Sequence, residues 1–331
     1  MFTRTLGRSG IVVSALGFGC WPIGGEIIED GRSVGWGAVD DAESVRAIHR
    51  AMDLGVTFFD TADVYGRSED VLSRALAGRW DRVVIASKFG RTYDRASHTI
   101  TGDDPSPAHL RRAVEGSLRR LGTDVIDLYQ FHLWDCPELE AEVVREELEA
   151  LVDQGKIRAY GWSTDRLSNI ELFAAGPHCA TAQIHLNVLE GDRDLVAACA
   201  RMGLACVVRG PLAMGLLGGK YGEGSAISAD DVRGSGQGWV AMFRDGRPTA
   251  DGLRRLAAIR DVLTSDGRTL AQGALGWLWA VGENTVPIPG FKGMRQAEEN
   301  AGALAYGPLS PDQVAQVGSL LDGSGQGVAQ V

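Results

Sequence analysis

Along most of the chain, short apolar runs alternate with amphipathic stretches of helical period, and this alternation constrains the fold more than any other feature. The runs are ALGFGC (15–20), VTFFD (56–60), RVVIASK (82–88), VIDLYQFH (125–132), IRAYGWS (157–163), ATAQIHL (180–186), LACVVRG (204–210) and TVPIPG (285–290). They are nearly continuous in apolar residues, as strands buried on both faces of a parallel sheet must be. Helical stretches follow them at 41–54, 68–78, 107–121, 137–154, 167–175, 192–202, 251–264 with 269–281, and 294–304. In the first of these, Ala42, Val45, Ile48, Met52 and Leu54 trace one face. Eight strand-then-helix units in 331 residues predict an α/β (β/α)8 TIM barrel, read as one domain over 1–331. A doubly wound open sheet would need a glycine fingerprint after its first strand. GFGCWPIGG does not supply one, and GLLGGKY is no P-loop, because Tyr221 stands where Ser or Thr is required.

Three segments lie outside the rhythm. The first thirteen residues read as a strand pair turning at GRSG. Residues 221–250 are glycine-rich and too long for a plain connector, which predicts a mobile active-site loop. Residues 322–331 read as a frayed tail. The net charge of −10 argues against a nucleic-acid or anionic-membrane partner, so any anionic ligand must meet a local basic patch. The five cysteines have no metal-ligand spacing, and neither a signal-peptide core nor an uninterrupted apolar span is seen. These features predict reduced, buried thiols, no metal and a cytoplasmic location.

In a parallel barrel, polar residues at the C-terminal strand ends point into the active site. That rule selects Asp60 after the second strand, Lys88 at the end of the third and His132 at the end of the fourth, with Tyr65 in the loop beyond Asp60. An ammonium beside a phenol lowers its pKa from about 10, and a carboxylate holds that ammonium charged. The set suits proton transfer to a carbonyl oxygen. Each residue also has an ordinary role available: a helix cap, a packed loop tyrosine, a solvated lysine, a core histidine.

The motifs FDTADVYGRSE, IASKFG, LGTDVIDLYQFHLWD, QGKIRAYGWST, AQIHLN, GPLAMGLLGGKY and IPGFKGMRQAEEN stand in order over residues 3–304, and the chain resembles the aldo-keto reductase family, in its bacterial and potassium-channel-β-subunit-like branch. The resemblance implies NADP(H) bound without a Rossmann domain, and a tetrad of Asp60, Tyr65, Lys88 and His132 with Tyr65 as general acid. Retention of His132 favours reduction of a carbonyl over a carbon–carbon double bond. The implied cofactor contacts are Gly19, Cys20, Trp21 and Asp60, then Ser163, Thr164 and Gln183 at the nicotinamide carboxamide. They continue through Arg209, which would stack on the nicotinamide or reach a phosphate, then Gly210, Pro211, Leu212, Gly215 and Lys220 along the pyrophosphate, and Gly290, Phe291, Lys292, Gln296, Glu299 and Asn300 around the adenosine. Arg295 is either a further phosphate contact or a solvated helix residue. Thr164 and Arg209 depart from the family pattern; at 209 an aromatic residue commonly stacks on the nicotinamide. Trp21, Tyr65, His132 and Trp134, with Trp239 and the 221–250 loop, would rim a small-molecule carbonyl site, and Asp135 would bond a hydroxyl or cap the next helix. The expected assembly is a monomer or weak homo-oligomer. Alternative readings are a sugar or alcohol dehydrogenase and a non-catalytic NADPH-sensing partner.

Overall fold

A computed structural model of the protein describes residues 2–324. Eight parallel strands carry the fold: β1 (Gly17–Gly19), β2 (Phe58–Asp60), β3 (Val84–Phe89), β4 (Ile126–Phe131), β5 (Ile157–Ser163), β6 (Cys179–His185), β7 (Ala205–Arg209) and β8 (Thr285–Pro287). Neighbours in sequence are neighbours in the sheet, and β1 meets the chain after β8 through a parallel bridge between Gly19 and Gly290. That closure makes the sheet a barrel. It also explains Gly19, where a Cβ would sit 2.7 Å from the Ile288 carbonyl oxygen.

The helices are α1 (Asp41–Asp53), α2 (Ser68–Leu76), α3 (Pro107–Leu121), α4 (Glu138–Asp153), α5 (Leu167–Ala174), α6 (Asp194–Arg201), α7 (Ala250–Leu263), α8 (Leu270–Val281), α9 (Met294–Gly302) and α10 (Pro311–Ser324). Their starts follow local chemistry. Asp40 accepts hydrogen bonds from the backbone of Ala42 and Glu43, Ser106 caps α3 ahead of Pro107, and Thr269 with Gln272 forms a capping box on α8. The buried face of α1 is Ser44, Ala47, Ile48, Ala51 and Met52, turned from the expected one. Its small residues let the helix approach the barrel, and apolar size alone did not report that.

Two cores result. Inward-facing residues fill the barrel, among them Phe58, Val84, Ala86, Leu128, Ala159, Ala205, Val207 and Val286. The hairpin of Thr3–Thr5 and Val12–Ser14 adds Leu6, Ile11 and Val13 to this cluster and so plugs the bottom. A second, larger core lies between strands and helices. Burying strands on both faces in this way is what makes their sequences nearly unbroken in apolar residues.

At the mouth, a four-stranded sheet forms from Ile28–Glu29, Arg32–Ser33, Arg91–Asp94 and Thr99–Asp103. Neither this sheet nor α10 is evident from the strand–helix rhythm. Helix α10 runs through 322–324, which corrects the expected tail there; residues 325–331 lie outside the described residues. The 221–250 segment has an internal frame: Val232, Val240, Met242 and Phe243 are buried, and the backbone of Val232 donates to the Gly35 carbonyl at 2.8 Å. Among the described residues no helix is long and apolar enough to cross a membrane.

Candidate active site

Strand period places the top layer of the barrel. Val84 and Ala86 face inward on β3, so Lys88 follows them to the same face at the mouth. On β2 the same step from Phe58 gives Asp60, and on β4 the step from Leu128 gives Gln130. Cross-strand register pairs Asp60 with Ala86 and Lys88 with Gln130, and these side chains meet under the opening.

The Lys88 ammonium donates to Asp60 Oδ1 and, at 2.8 Å, to the Thr61 carbonyl. Asp60 Oδ2 accepts from Gln130 Nε2 at 2.9 Å and from Gln183 Nε2 at 2.8 Å. Every member of this network is buried, so the carboxylate is fully occupied and the ammonium has its countercharge. Burial pulls the Lys88 pKa down, but Asp60 and Tyr65 outweigh it and the net shift is upward. Lys88 stays charged.

The Tyr65 ring lies over Lys88, with Nζ 4.7 Å from its centroid, and meets His132 edge-on at 5.7 Å. Here one expectation is corrected. Burial and Asp60 push the Tyr65 phenol up, Lys88 and Arg209 pull it down, and the net shift is upward. A neutral phenol is therefore held at the mouth, a proton donor rather than a phenolate. His132 moves the other way: burial, then Lys88, Arg91 and Arg209, hold it well below its usual range, so it is a neutral imidazole. Its Nδ1 is buried without a hydrogen-bond partner among the described residues.

An aromatic wall stands above. Trp21 stacks near Tyr65 at 6.0 Å, packs edge-on against Trp36 at 5.3 Å and lies 6.2 Å from Trp239. Trp134 and Trp239 are exposed at the rim.

The remaining candidates divide by what their side chains already do. The Ser163 hydroxyl at the end of β5 has no protein partner among the described residues. That of Thr164 donates to the Trp134 carbonyl at 3.0 Å and accepts from the Arg166 backbone at 3.2 Å. Gln183 spends its amide N–H groups on Asp60 and Gln130, which leaves its carbonyl oxygen as what it can offer a ligand. Cys20 is buried, its Sγ 3.6 Å from the Phe18 carbonyl, and Phe291 packs on Phe18 at 4.6 Å; both side chains belong to the core. All five cysteines are buried free thiols.

After β7 the chain makes a tight turn. Gly210 has φ +64°, and Ala213, Met214 and Gly215 are all in the left-handed region. The Ala213 and Gly215 amides donate within the turn to the Gly210 and Leu212 carbonyls at 3.0 and 2.8 Å, while those of Gly210 and Met214 have no protein acceptor among the described residues. Pro211 and Leu212 lie inside this turn, and Lys220 is exposed at its end, its ammonium 4.9 Å from the Tyr221 ring centroid. Across from it, Lys292 is bonded to the Trp36 carbonyl, and its pKa is lowered by burial, with Arg233 and Lys220 adding to the effect against Asp231. Gln296 accepts from the Lys292 backbone at 2.7 Å, Asn300 donates to the Gly290 carbonyl at 3.4 Å, and the Glu299 carbonyl accepts from Gln272. Arg295 is exposed on α9.

Sequence reasoning missed four participants. Gln130 carried a legible signal, since Leu128, Gln130 and His132 share one face by strand period. Asp165, Asp231 and Arg233 did not. Asp165 pairs with Arg209 at 2.6 Å. Arg233 pairs with Asp231 at 2.6 Å and lies over the Trp36 ring at 4.6 Å, binding the 221–250 segment to the 28–36 segment. Asp135 neither caps α4 nor points free: it accepts from the Cys136 backbone and pairs with Arg166 at 2.9 Å.

The sequence matches the model of the aldo/keto reductase family over residues 15–322. The chain belongs to this family. It is similar to the aldo-keto reductase AKR11C1 of Bacillus halodurans in its holo form, with 28% identity, 97% of this chain and 96% of that one covered, and a TM-score of 0.74. It is also similar to the glycerol dehydrogenase AKR11B4 of Gluconobacter oxydans (27% identity, 97% and 95% covered, TM-score 0.81). A third similar structure is an aldo/keto reductase of Klebsiella pneumoniae in complex with NADP and acetate (27% identity, 97% and 96% covered, TM-score 0.71). As a family member the chain is an oxidoreductase. Among the described residues no cluster could hold a metal ion.

Proposed function

We propose that the protein is an NADPH-dependent reductase of aldehydes, ketones or sugar-like carbonyls, with Tyr65 as proton donor. The observation that carries this is the buried Asp60–Lys88 pair beneath a neutral Tyr65, with a neutral His132 beside it. The cradle fits a dinucleotide: in the left-handed turn the Gly210 and Met214 amides have no protein acceptor among the described residues, and Lys220 and Lys292 bring positive charge in a chain of net charge −10. The similar Klebsiella enzyme bound to NADP supports the same assignment. When bound, NADPH supplies the hydride. Ser163 and the Gln183 carbonyl oxygen would hold the nicotinamide carboxamide, and Lys292, Gln296, Glu299 and Asn300 the adenosine end.

The rest of the chemistry belongs to side chains. Tyr65 Oη donates a hydrogen bond, then a proton, to the oxygen on which negative charge develops. Its raised pKa keeps the proton available throughout the neutral range, and Lys88 stabilises the phenolate left behind. Asp60, fixed by Gln130 and Gln183, keeps that ammonium aimed. His132, neutral, orients the carbonyl without competing as an acid. Trp21, Trp134 and Trp239 exclude water and pack on the substrate body. The 221–250 segment would open to admit the cofactor by parting from residues 28–36.

Similarity to the Gluconobacter glycerol dehydrogenase supports a second direction, alcohol oxidation, in which Tyr65 runs as general base. Following cofactor absorbance with NADPH, NADH, NADP⁺ and NAD⁺ against carbonyls, sugars and polyols separates the two. Turnover of carbonyls with NADPH, lost in Tyr65→Phe, is the expected result; tight NADPH binding with no turnover on any of them would instead support the sensor reading.

A further inference from the structure

The reductase reading leaves one cation at the mouth without a chemical task. Arg209 ends β7, and because Ala205 and Val207 face the barrel interior, strand period puts it on the same inward face as Asp60, Lys88 and Gln183. It is held on two sides. Asp165 Oδ2 takes its Nη2 at 2.6 Å, while the other oxygen of Asp165 accepts from the His185 backbone at 2.6 Å. One face of the guanidinium lies 5.4 Å from the Trp134 ring centroid. Trp134 follows His132 by two residues, and His132 touches Tyr65, so the cation stands across the opening from the proton donor. The field of Arg209 reaches both Tyr65 and His132, as that placement requires.

Asp165 uses only one nitrogen of the fork. Among the described residues Nε and Nη1 have no protein partner, and the side chain keeps 30% of its exposure. A planar, positioned, part-exposed guanidinium with an open edge is built for a carboxylate, which it can take through two parallel hydrogen bonds. The molecule is otherwise strongly anionic, so such an attraction has to be local.

We infer that Arg209, positioned by Asp165 and Trp134, binds an anionic substituent of the substrate, and that the preferred substrates are carbonyl compounds bearing a carboxylate. The inference rests on the reductase reading and names its substrate class. Asp165 is a positioning residue: it fixes the guanidinium and contacts no substrate.

The test compares kcat/KM for an ω-carboxy aldehyde and its methyl ester with NADPH, in wild type, Arg209→Met and Arg209→Lys. Taking the ratio cancels any loss common to both substrates, including weakened cofactor binding. Wild type should favour the carboxylate by about tenfold or more, mainly through KM, the equivalent of one good charged contact. High salt should shrink that preference, Arg209→Met should bring the ratio near one, and Arg209→Lys should restore part of it. Equal use of both substrates by wild type, or an unchanged preference in Arg209→Met, overturns the inference. Calorimetry of butanoate against butanamide on the NADPH complex reads the site without turnover. Arg209-dependent binding of butanoate with no carbonyl reduced would sink the reductase reading and keep the anion site; reduction of esters alone, with no butanoate binding, would do the reverse.

Discussion

The floor and the roof of the active site are built in opposite ways. The floor is a set of strand ends: Asp60, Lys88, Gln130 and Gln183 come from four parallel strands and close into one hydrogen-bonded cluster, all buried. The roof is made of loops, where the segments 28–36 and 221–250 are joined by Val232 to Gly35, by the Ser33 hydroxyl to the Asp230 carbonyl and by the Arg233 guanidinium over the Trp36 ring. Strand geometry fixes the floor before any loop is placed. The roof depends on a few long-range contacts and is the part that can yield. On the function proposed above, a site of this construction would keep its proton chemistry rigid while its covering changes.

The largest effect should come from breaking the floor. Asp60→Asn leaves the Lys88 ammonium buried with no countercharge, at a cost of about 3–5 kcal/mol in urea unfolding. Activity should fall to background, because nothing then holds the ammonium beneath Tyr65. A variant with wild-type stability would mean that Lys88 is neutral in the fold. Tyr65→Phe separates chemistry from stability at the same place. It should lower kcat by about 10²–10⁴-fold, the range for removing a positioned proton donor, with unfolding unchanged to within about 1 kcal/mol. Loss of cofactor binding in place of kcat would move Tyr65 out of the proton-transfer role.

The roof should break more cheaply. Arg233→Met removes the hydrogen bonds to Asp231, to the Tyr221 hydroxyl at 2.7 Å and to the Met214 carbonyl at 3.1 Å, and leaves Asp231 buried without its cation. A loss of about 1–3 kcal/mol is expected, confined to the roof. Hydrogen exchange should quicken over 228–236 while β2, β3 and β4 stay protected. Equal acceleration in the barrel strands would show that floor and roof form one cooperative unit.

This contrast also explains what the sequence disclosed. The barrel and the meeting of Asp60, Lys88 and His132 at one mouth were legible because they obey a local rule: alternating strand faces put Lys88 two residues beyond Ala86 and His132 four beyond Leu128. Gln130 obeyed the same rule and was overlooked only because a glutamine inside an apolar run reads as core. Asp165, Asp231 and Arg233 obey no local rule. Asp165 meets Arg209 from another strand end, Arg233 reaches the Trp36 ring on another loop, and the Asp231–Arg233 pair sits in a glycine-rich stretch that reads as loose chain, although it closes around buried Val232, Val240 and Phe243. Thr164 and Phe291 show the converse: motif position placed them at the cofactor, while the fold engages the Thr164 hydroxyl with the Trp134 carbonyl and packs the Phe291 ring on Phe18. The sign of the Tyr65 shift was illegible for a related reason, since Lys88 is visible in the sequence but the burial that outweighs it is not.

The smallest predicted effect tests the floor's electrostatics directly. His132 is depressed by burial first and by the charges of Lys88, Arg91 and Arg209 after it. Its folded-state pKa is therefore below the unfolded value of about 6.5. A group depressed in this way contributes stability that is present above the unfolded pKa and lost as pH falls below it, because the unfolded chain then binds a proton that the folded protein refuses. Comparing wild type with His132→Gln, the stability difference should be constant above about pH 7 and shift steadily against wild type as pH drops below about 6.5. The kcat/KM profile of the wild type should show no inflection near 6.5, and the His132 ring resonances should not titrate there. An inflection at that pH that disappears in His132→Gln would mean that the imidazole takes up a proton beside Lys88, and the neutral orienting role assigned to it would have to be given up for that of a second acid.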